Sequence, residues 1–231
     1  MVRKSKKVKQ ALRQLITQIN PKSPISEQYR SIRTNLQFAS VDNDLHTLVI
    51  TSSGPSEGKS MTAANVAVAF AQQGQKVLLV DADLRKPTVH YTFRVENKKG
   101  LSNFLIGELS LVDIVLESGV PNLGVVTCGP IPPNPSEILG SNRMNQFIEL
   151  AKQHFDLVIF DTPPVLAVTD PAIVAKRCDG VLMVVRSKQT EYEAAKKSKE
   201  QLQQVGANIL GVVLNDRELK DSNYYYYYGR N

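Results

Sequence analysis

A chain of 231 residues with 42% apolar side chains can bury one sizeable core, and with only two cysteines it is no disulfide-stapled miniature fold. It holds no run of 18 apolar residues and no signal-like apolar stretch behind its basic start, so the expectation is a cytosolic protein that meets a membrane through a partner. The net charge of +6 is uneven: residues 1–33 carry nine Lys or Arg against one acid, Glu27, which is +8 and leaves −2 for the remainder.

In chain order, the basic start leads into a helical pattern over 8–19, a break at "NPKSP" (20–24) and a second helix over 25–39. The start (1–24) reads as a basic arm for anionic lipid or an acidic partner, or as a solvated tail; with no aromatics among its lysines, nucleic acid is not expected. Apolar, β-branched runs follow at 47–52, 76–83, 123–129, 156–164, 180–187 and 208–216. Helices are expected between them at 60–73, 141–154, 170–177 and 191–205, with one or two short ones in 101–117. Near-continuous apolar strands alternating with helices imply a doubly wound, mainly parallel α/β sheet covered on both faces, here one domain over 25–215. Cys128 and Cys178 lie in apolar surroundings without CxxC spacing and read as small buried hydrophobes. Residues 216–231 form a tail that holds five consecutive tyrosines, Tyr224, Tyr225, Tyr226, Tyr227 and Tyr228.

The first strand runs into "TSSGPSEGKSMTAANVA", where Gly58-Lys59-Ser60 between a strand and a small-residue helix is the core of a P-loop. Such a loop cradles phosphates with backbone N–H groups, reaches the β/γ oxygens with its lysine and ligates Mg²⁺ with its hydroxyl. The strict pattern asks for glycine at 53, where this chain has Ser53. The second strand ends in Asp81 and Asp83, and "LVIFDTPP" delivers Asp161 at another strand end. A lone strand-end Asp is a turn former, but three beside one P-loop offer one carboxylate for a metal and another for a proton.

A P-loop, then "DADLRKP", then "FDTPP" resembles the bacterial tyrosine kinases known as BY-kinases, which carry three Walker-type motifs and a tyrosine-rich C-terminus. "EQYRSIR" fits the family's E-x-x-R-x-x-R helix through Glu27, Arg30 and Arg33, and "PPNPSEIL" (132–139) resembles its proline-rich loop. The resemblance covers about 25–231 and is nearest the split form, a kinase chain without membrane spans. It implies a P-loop fold of the partition-ATPase class and an ATP- and Mg²⁺-dependent kinase that phosphorylates its own Tyr224–Tyr228 and other proteins on tyrosine. It further implies rings built through Glu27, Arg30 and Arg33, and activation by a membrane protein of capsule or exopolysaccharide assembly that recruits the chain to the inner face of the plasma membrane. ATP would be held by Gly54, Pro55, Ser56, Glu57, Gly58, Lys59, Ser60 and Met61, and the metal by Ser60, Asp83 and Asp161. Lys59, Asp81 and Asp83 would be catalytic, with Asp81 taking the tyrosine proton; the resemblance sets that order, since spacing alone allows the exchange of Asp81 and Asp83. Asn215 resembles the adenine-contacting residue of related ATPases, or is a turn residue. Arg85 or Lys86 would assist phosphate charge, or form a solvated loop. The alternative is a partition- or septum-positioning ATPase switch; many of these carry an extra lysine near the start of the P-loop, where this chain has Ser53. A binding module with dead ATP chemistry is disfavoured by the complete set Lys59, Ser60, Asp81, Asp83 and Asp161.

Overall fold

All six apolar runs are strands of one sheet in the computed structural model, which describes residues 15–40 and 44–218. They are β1 (Thr47–Ser52), β2 (Val77–Asp81), β4 (Leu123–Val126), β5 (Leu157–Asp161), β6 (Gly180–Arg186) and β7 (Ile209–Asn215), and neighbouring members pair in parallel. A short strand, β3 (Val115–Glu117), runs antiparallel to β4 at one edge, so the order is β3-β4-β2-β5-β1-β6-β7. The one or two short helices expected in 101–117 are α5 (Leu101–Leu105) and α6 (Leu111–Ile114), but 115–117 at the end of that stretch pairs with the sheet edge instead of being helical. Three exposed or half-exposed residues carry too little periodicity to reveal that pairing.

Alternation along the strands feeds two cores. Leu48 and Ile50 of β1 face α3 (Lys59–Ala71), while Val49 faces the side built by α8 (Asn142–His154) and α9 (Asp170–Ala175). Helix α3 is apolar all round, with Ala63, Ala64, Val66, Ala67, Val68 and Phe70 all buried. Such a helix needs cover on its outer side as well as from the sheet. That cover is the N-terminal pair α1 (Ile16–Ile19) and α2 (Pro24–Ala39). Leu15 and Leu36 join the α3 core, and the buried Thr17 donates through N–H and hydroxyl to Asn65 Oδ1 (3.1 and 2.8 Å). Ser23 caps α2 by accepting from Ser26 N–H, with Pro24 in its first turn.

The remaining helices are α4 (Val89–Phe93), α7 (Pro135–Gly140) and α10 (Tyr192–Gln204); sequence periodicity is silent on the first two, which have only five and six residues. The sheet places the C-terminal ends of β2, β5 and β1 side by side, and that edge is where open α/β sheets bind ligands.

Candidate nucleotide and phosphoryl-transfer site

Residues 53–58 turn sharply between β1 and α3, with Ser56 (φ +64°) and Gly58 (φ +96°) in left-handed conformation. Gly58 is required twice: a Cβ there would stand 2.1 Å from Asn215 Nδ2. At position 53, where the strict pattern has glycine, the Ser53 N–H is held by Glu57, whose buried carboxylate accepts it (2.9 Å) and the Thr190 hydroxyl (2.6 Å). Two further straps come from the ends of β6 and β7: Arg186 Nη1 donates to Ser56 O (3.1 Å) and Asn215 Nδ2 to Glu57 O (3.0 Å). Asn215 therefore stands against the P-loop backbone. Sequence reading missed Arg186 and Thr190, whose relation to Ser56 and Glu57 is set by chain folding over 130 positions or more.

The three acids gather as their strand-end positions imply. Asp81 and Asp161 are paired across β2 and β5, and both are fully buried. Lys59 Nζ lies 3.0 Å from Asp83 Oδ2, 3.3 Å from Asp161 Oδ1 and 3.3 Å from Ser60 Oγ. Burial pulls the Lys59 ammonium toward its neutral form, but Asp161 and Asp83 outweigh it and its pKa is raised. Burial, then repulsion from Asp161, pushes Asp81 up to about 7 against the pull of the Val89 and Thr88 amides and Lys59. Burial likewise raises Asp161, opposed chiefly by Lys59 and the Ser60 hydroxyl.

Asp81 and Asp83 differ in setting. Asp81 Oδ2 accepts the N–H groups of Thr88 and Val89 (both 2.9 Å) and Oδ1 that of Asp83 (3.3 Å), so its carboxylate folds the loop after β2. Asp83 sits at the loop's mouth, 5% exposed, with Lys86 N–H closing a turn onto its Oδ1 (3.0 Å). Arg85 is not simply solvated: its guanidinium is engaged by Asp170. The Lys86 side chain is exposed.

These residues fit a divalent cation brought with a triphosphate. Three carboxylates face one ammonium, and the buried Asp161 Oδ2 has no hydrogen-bond partner. Among the described residues no group of three or more His, Cys, Asp or Glu side chains is arranged to cage a metal alone. Mg²⁺ bound with nucleotide needs only one or two carboxylates, with phosphates and water completing the shell. Cys128 is buried at the end of β4, and burial, then Asp81 and Asp83, pushes its thiol up to about 12, so it stays a neutral, inert filler. Cys178, half-buried, is likewise pushed up to about 12, by burial first.

Of the E-x-x-R-x-x-R trio, Glu27 and Arg30 pair with each other on the exposed face of α2, where Arg30 also donates to Pro21 O (2.6 Å). Arg33 turns inward and donates to Ala69 O of α3 (2.9 Å). The arm before residue 15 and the tyrosine run Tyr224–Tyr228 lie outside the described residues. No helix among the described residues is long and apolar enough to cross a membrane.

A parallel doubly wound sheet with a lysine-bearing phosphate loop on β1 and acids on β2 and β5 defines a P-loop nucleotide-binding protein. A family model described as an AAA domain matches residues 45–210. The tyrosine-protein kinase YwqD of Bacillus subtilis is 50% identical over 217 residues, 94% of this chain and 92% of its own. The kinase domain of the Escherichia coli tyrosine kinase ETK superposes with a TM-score of 0.87 at 39% identity, covering 94% of this chain and 85% of that one. The chain belongs to the bacterial tyrosine kinase family. The cell-division ATPase MinD of Pyrococcus furiosus is more distant, with a TM-score of 0.65 and 25% identity over 76% of this chain and 74% of its own.

Proposed function

We propose that this chain transfers the γ-phosphoryl group of ATP to tyrosine hydroxyls, first those of its own Tyr224–Tyr228 and then those of other proteins. The observation that carries the reading is Lys59, held between Asp83 and Asp161 beside the buried Asp81. Phosphoryl transfer proceeds through a loose transition state, so the protein's work is positioning and charge stabilisation. The backbone amides of residues 54–60 hold the phosphates, and Lys59 leaves its carboxylates to meet the β/γ oxygens. Ser60, Asp83 and Asp161 hold Mg²⁺, directly or through water. When bound, the cation neutralises charge developing on the phosphate oxygens. Asp81 receives the phenolic proton; its pKa, pushed up to about 7, suits a base better than an ordinary carboxylate's. Asp83, nearer the mouth, is the alternative proton acceptor, with Asp81 then holding the loop.

Nine steps from Asn215 to Tyr224 span at most roughly 30 Å, enough to reach this site or a neighbour's. The neighbour is favoured by a ring in which Glu27 and Arg30 face outward from α2 and Arg33 joins that helix to α3. Each phosphotyrosine adds roughly −1.5 to −2 charges, and a fully modified tail, repelled by the acids of the site, opens the ring. The chain acts at the inner face of the plasma membrane, switched on by the cytoplasmic end of a membrane protein of capsule or exopolysaccharide assembly. The test is incubation with Mg²⁺ and ATP, with and without that segment, followed by phosphosite mapping. Phosphate on Tyr224–Tyr228 is expected; ATP hydrolysis with no phosphotyrosine would instead favour the partition-type switch.

A further inference from the structure

The loop that carries Asp83 is pinned through Arg85, two residues further on. Arg85 Nε donates to Asp170 Oδ2 (2.9 Å) and Arg85 Nη2 to Asp170 Oδ1 (3.1 Å), a two-point fork. Ser136 Oγ completes a triangle, donating to Asp170 Oδ1 (2.7 Å) and accepting from Arg85 Nη2 (3.0 Å). Asp170 is fully buried, and its hydrogen bonds among the described residues come from this pair alone. Each corner belongs to a different loop of the ligand edge: Arg85 follows β2, Ser136 opens α7 after the proline-rich stretch, and Asp170 opens α9 after Asp161. Arg85 also lies inside the turn that Lys86 N–H closes onto Asp83 Oδ1.

We propose that Arg85, Asp170 and Ser136 form a positioning clamp that fixes the turn carrying Asp83 for phosphoryl transfer, without touching the nucleotide. A buried carboxylate needs its partner, and the planar fork of arginine supplies two fixed donors that a lysine's single ammonium does not reproduce. Phosphate binding without the metal rests on other groups, the P-loop backbone and Lys59, so the clamp, acting through Asp83, governs turnover and leaves Mg²⁺-free ATP affinity alone. The clamp rests on the kinase reading for its main readout.

The experiment compares Arg85→Lys, Asp170→Asn, their double variant and Ser136→Ala in the full chain. It measures the maximal rate of tyrosine phosphorylation, affinity for a fluorescent ATP analogue without Mg²⁺, and hydrogen exchange at the Lys86 amide without nucleotide. Each of the first two substitutions is expected to lower the rate about 10- to 100-fold, as misplacement of a catalytic group does, with ATP affinity within about threefold. The double variant is expected to be no worse than the poorer single, because both remove one interaction. Ser136→Ala, the mildest change, is expected to cost about threefold, and Lys86 exchange is expected to quicken about tenfold in Asp170→Asn, with β2 amides unaffected. Parallel loss of rate and ATP affinity, additive losses, or unchanged Lys86 exchange would each overturn the clamp. If the unaltered chain hydrolyses ATP and makes no phosphotyrosine, the kinase reading falls, and the clamp is judged by the same pattern in hydrolysis rate and Lys86 exchange.

Discussion

The loops after β1 and β2 leave the same sheet edge, yet they hold their shape by opposite means. The P-loop, apart from its own Glu57 holding the Ser53 N–H, is strapped from outside: Thr190 bonds the Glu57 side chain, while Arg186 and Asn215 bond the Ser56 and Glu57 carbonyls. The loop after β2 is folded from inside by the same acids proposed to do chemistry, Asp81 accepting Thr88 and Val89 and Asp83 accepting Lys86. Scaffold and reagent are therefore separable in the first loop and fused in the second. Substitutions around the P-loop should divide into binding and chemical effects, while those at Asp81 should show both stability and turnover losses.

The largest effect is expected from Lys59→Met, which removes an ammonium that faces all three acids and should lower tyrosine labelling by radiolabelled ATP about 10³-fold. Undiminished transfer would remove the P-loop reading itself. Asp81→Asn comes next. It should lower transfer at least about 10²-fold with nucleotide binding retained, and with its amide oxygen kept on the Thr88 and Val89 N–H groups its nitrogen meets the Asp83 N–H, which should cost about 1 kcal/mol in chemical denaturation. Labelling at the normal rate would show that Asp81 is not the base, and parallel Asp83→Asn data would then show whether the two roles are exchanged.

Asn215→Ala tests the strapping alone. Freeing the Glu57 carbonyl should weaken ATP binding by about 1 kcal/mol, roughly fivefold in a titration, with turnover at saturating ATP little changed. A drop in turnover instead would mean that the two loops are not separable. The smallest effect concerns the α2 trio. Glu27→Ala should change monomer stability by only a few tenths of a kcal/mol, whereas Arg33→Ala should cost about 1 kcal/mol by losing the Ala69 carbonyl. If sedimentation shows both variants losing the assembly while only Arg33→Ala loses thermal stability, the trio divides into an outward contact and an inward brace.

The sequence by itself determined the sheet, because six β-branched apolar runs have no stable burial except between two helical layers. It also determined that Lys59, Ser60, Asp81, Asp83 and Asp161 would meet, since they are strand-end or helix-start residues, and a parallel sheet brings such ends together wherever they lie in the chain. Tertiary structure alone decided what those residues lean on. Thr190 holding Glu57, Arg186 bracing the loop and Arg85 pairing with Asp170 depend on partners tens of residues away, and β3 joins the edge only because β4 is there to receive it. Local periodicity and capping signals reach only a few residues along the chain, whereas a buried charge is settled by whichever opposite group the packed fold delivers to it.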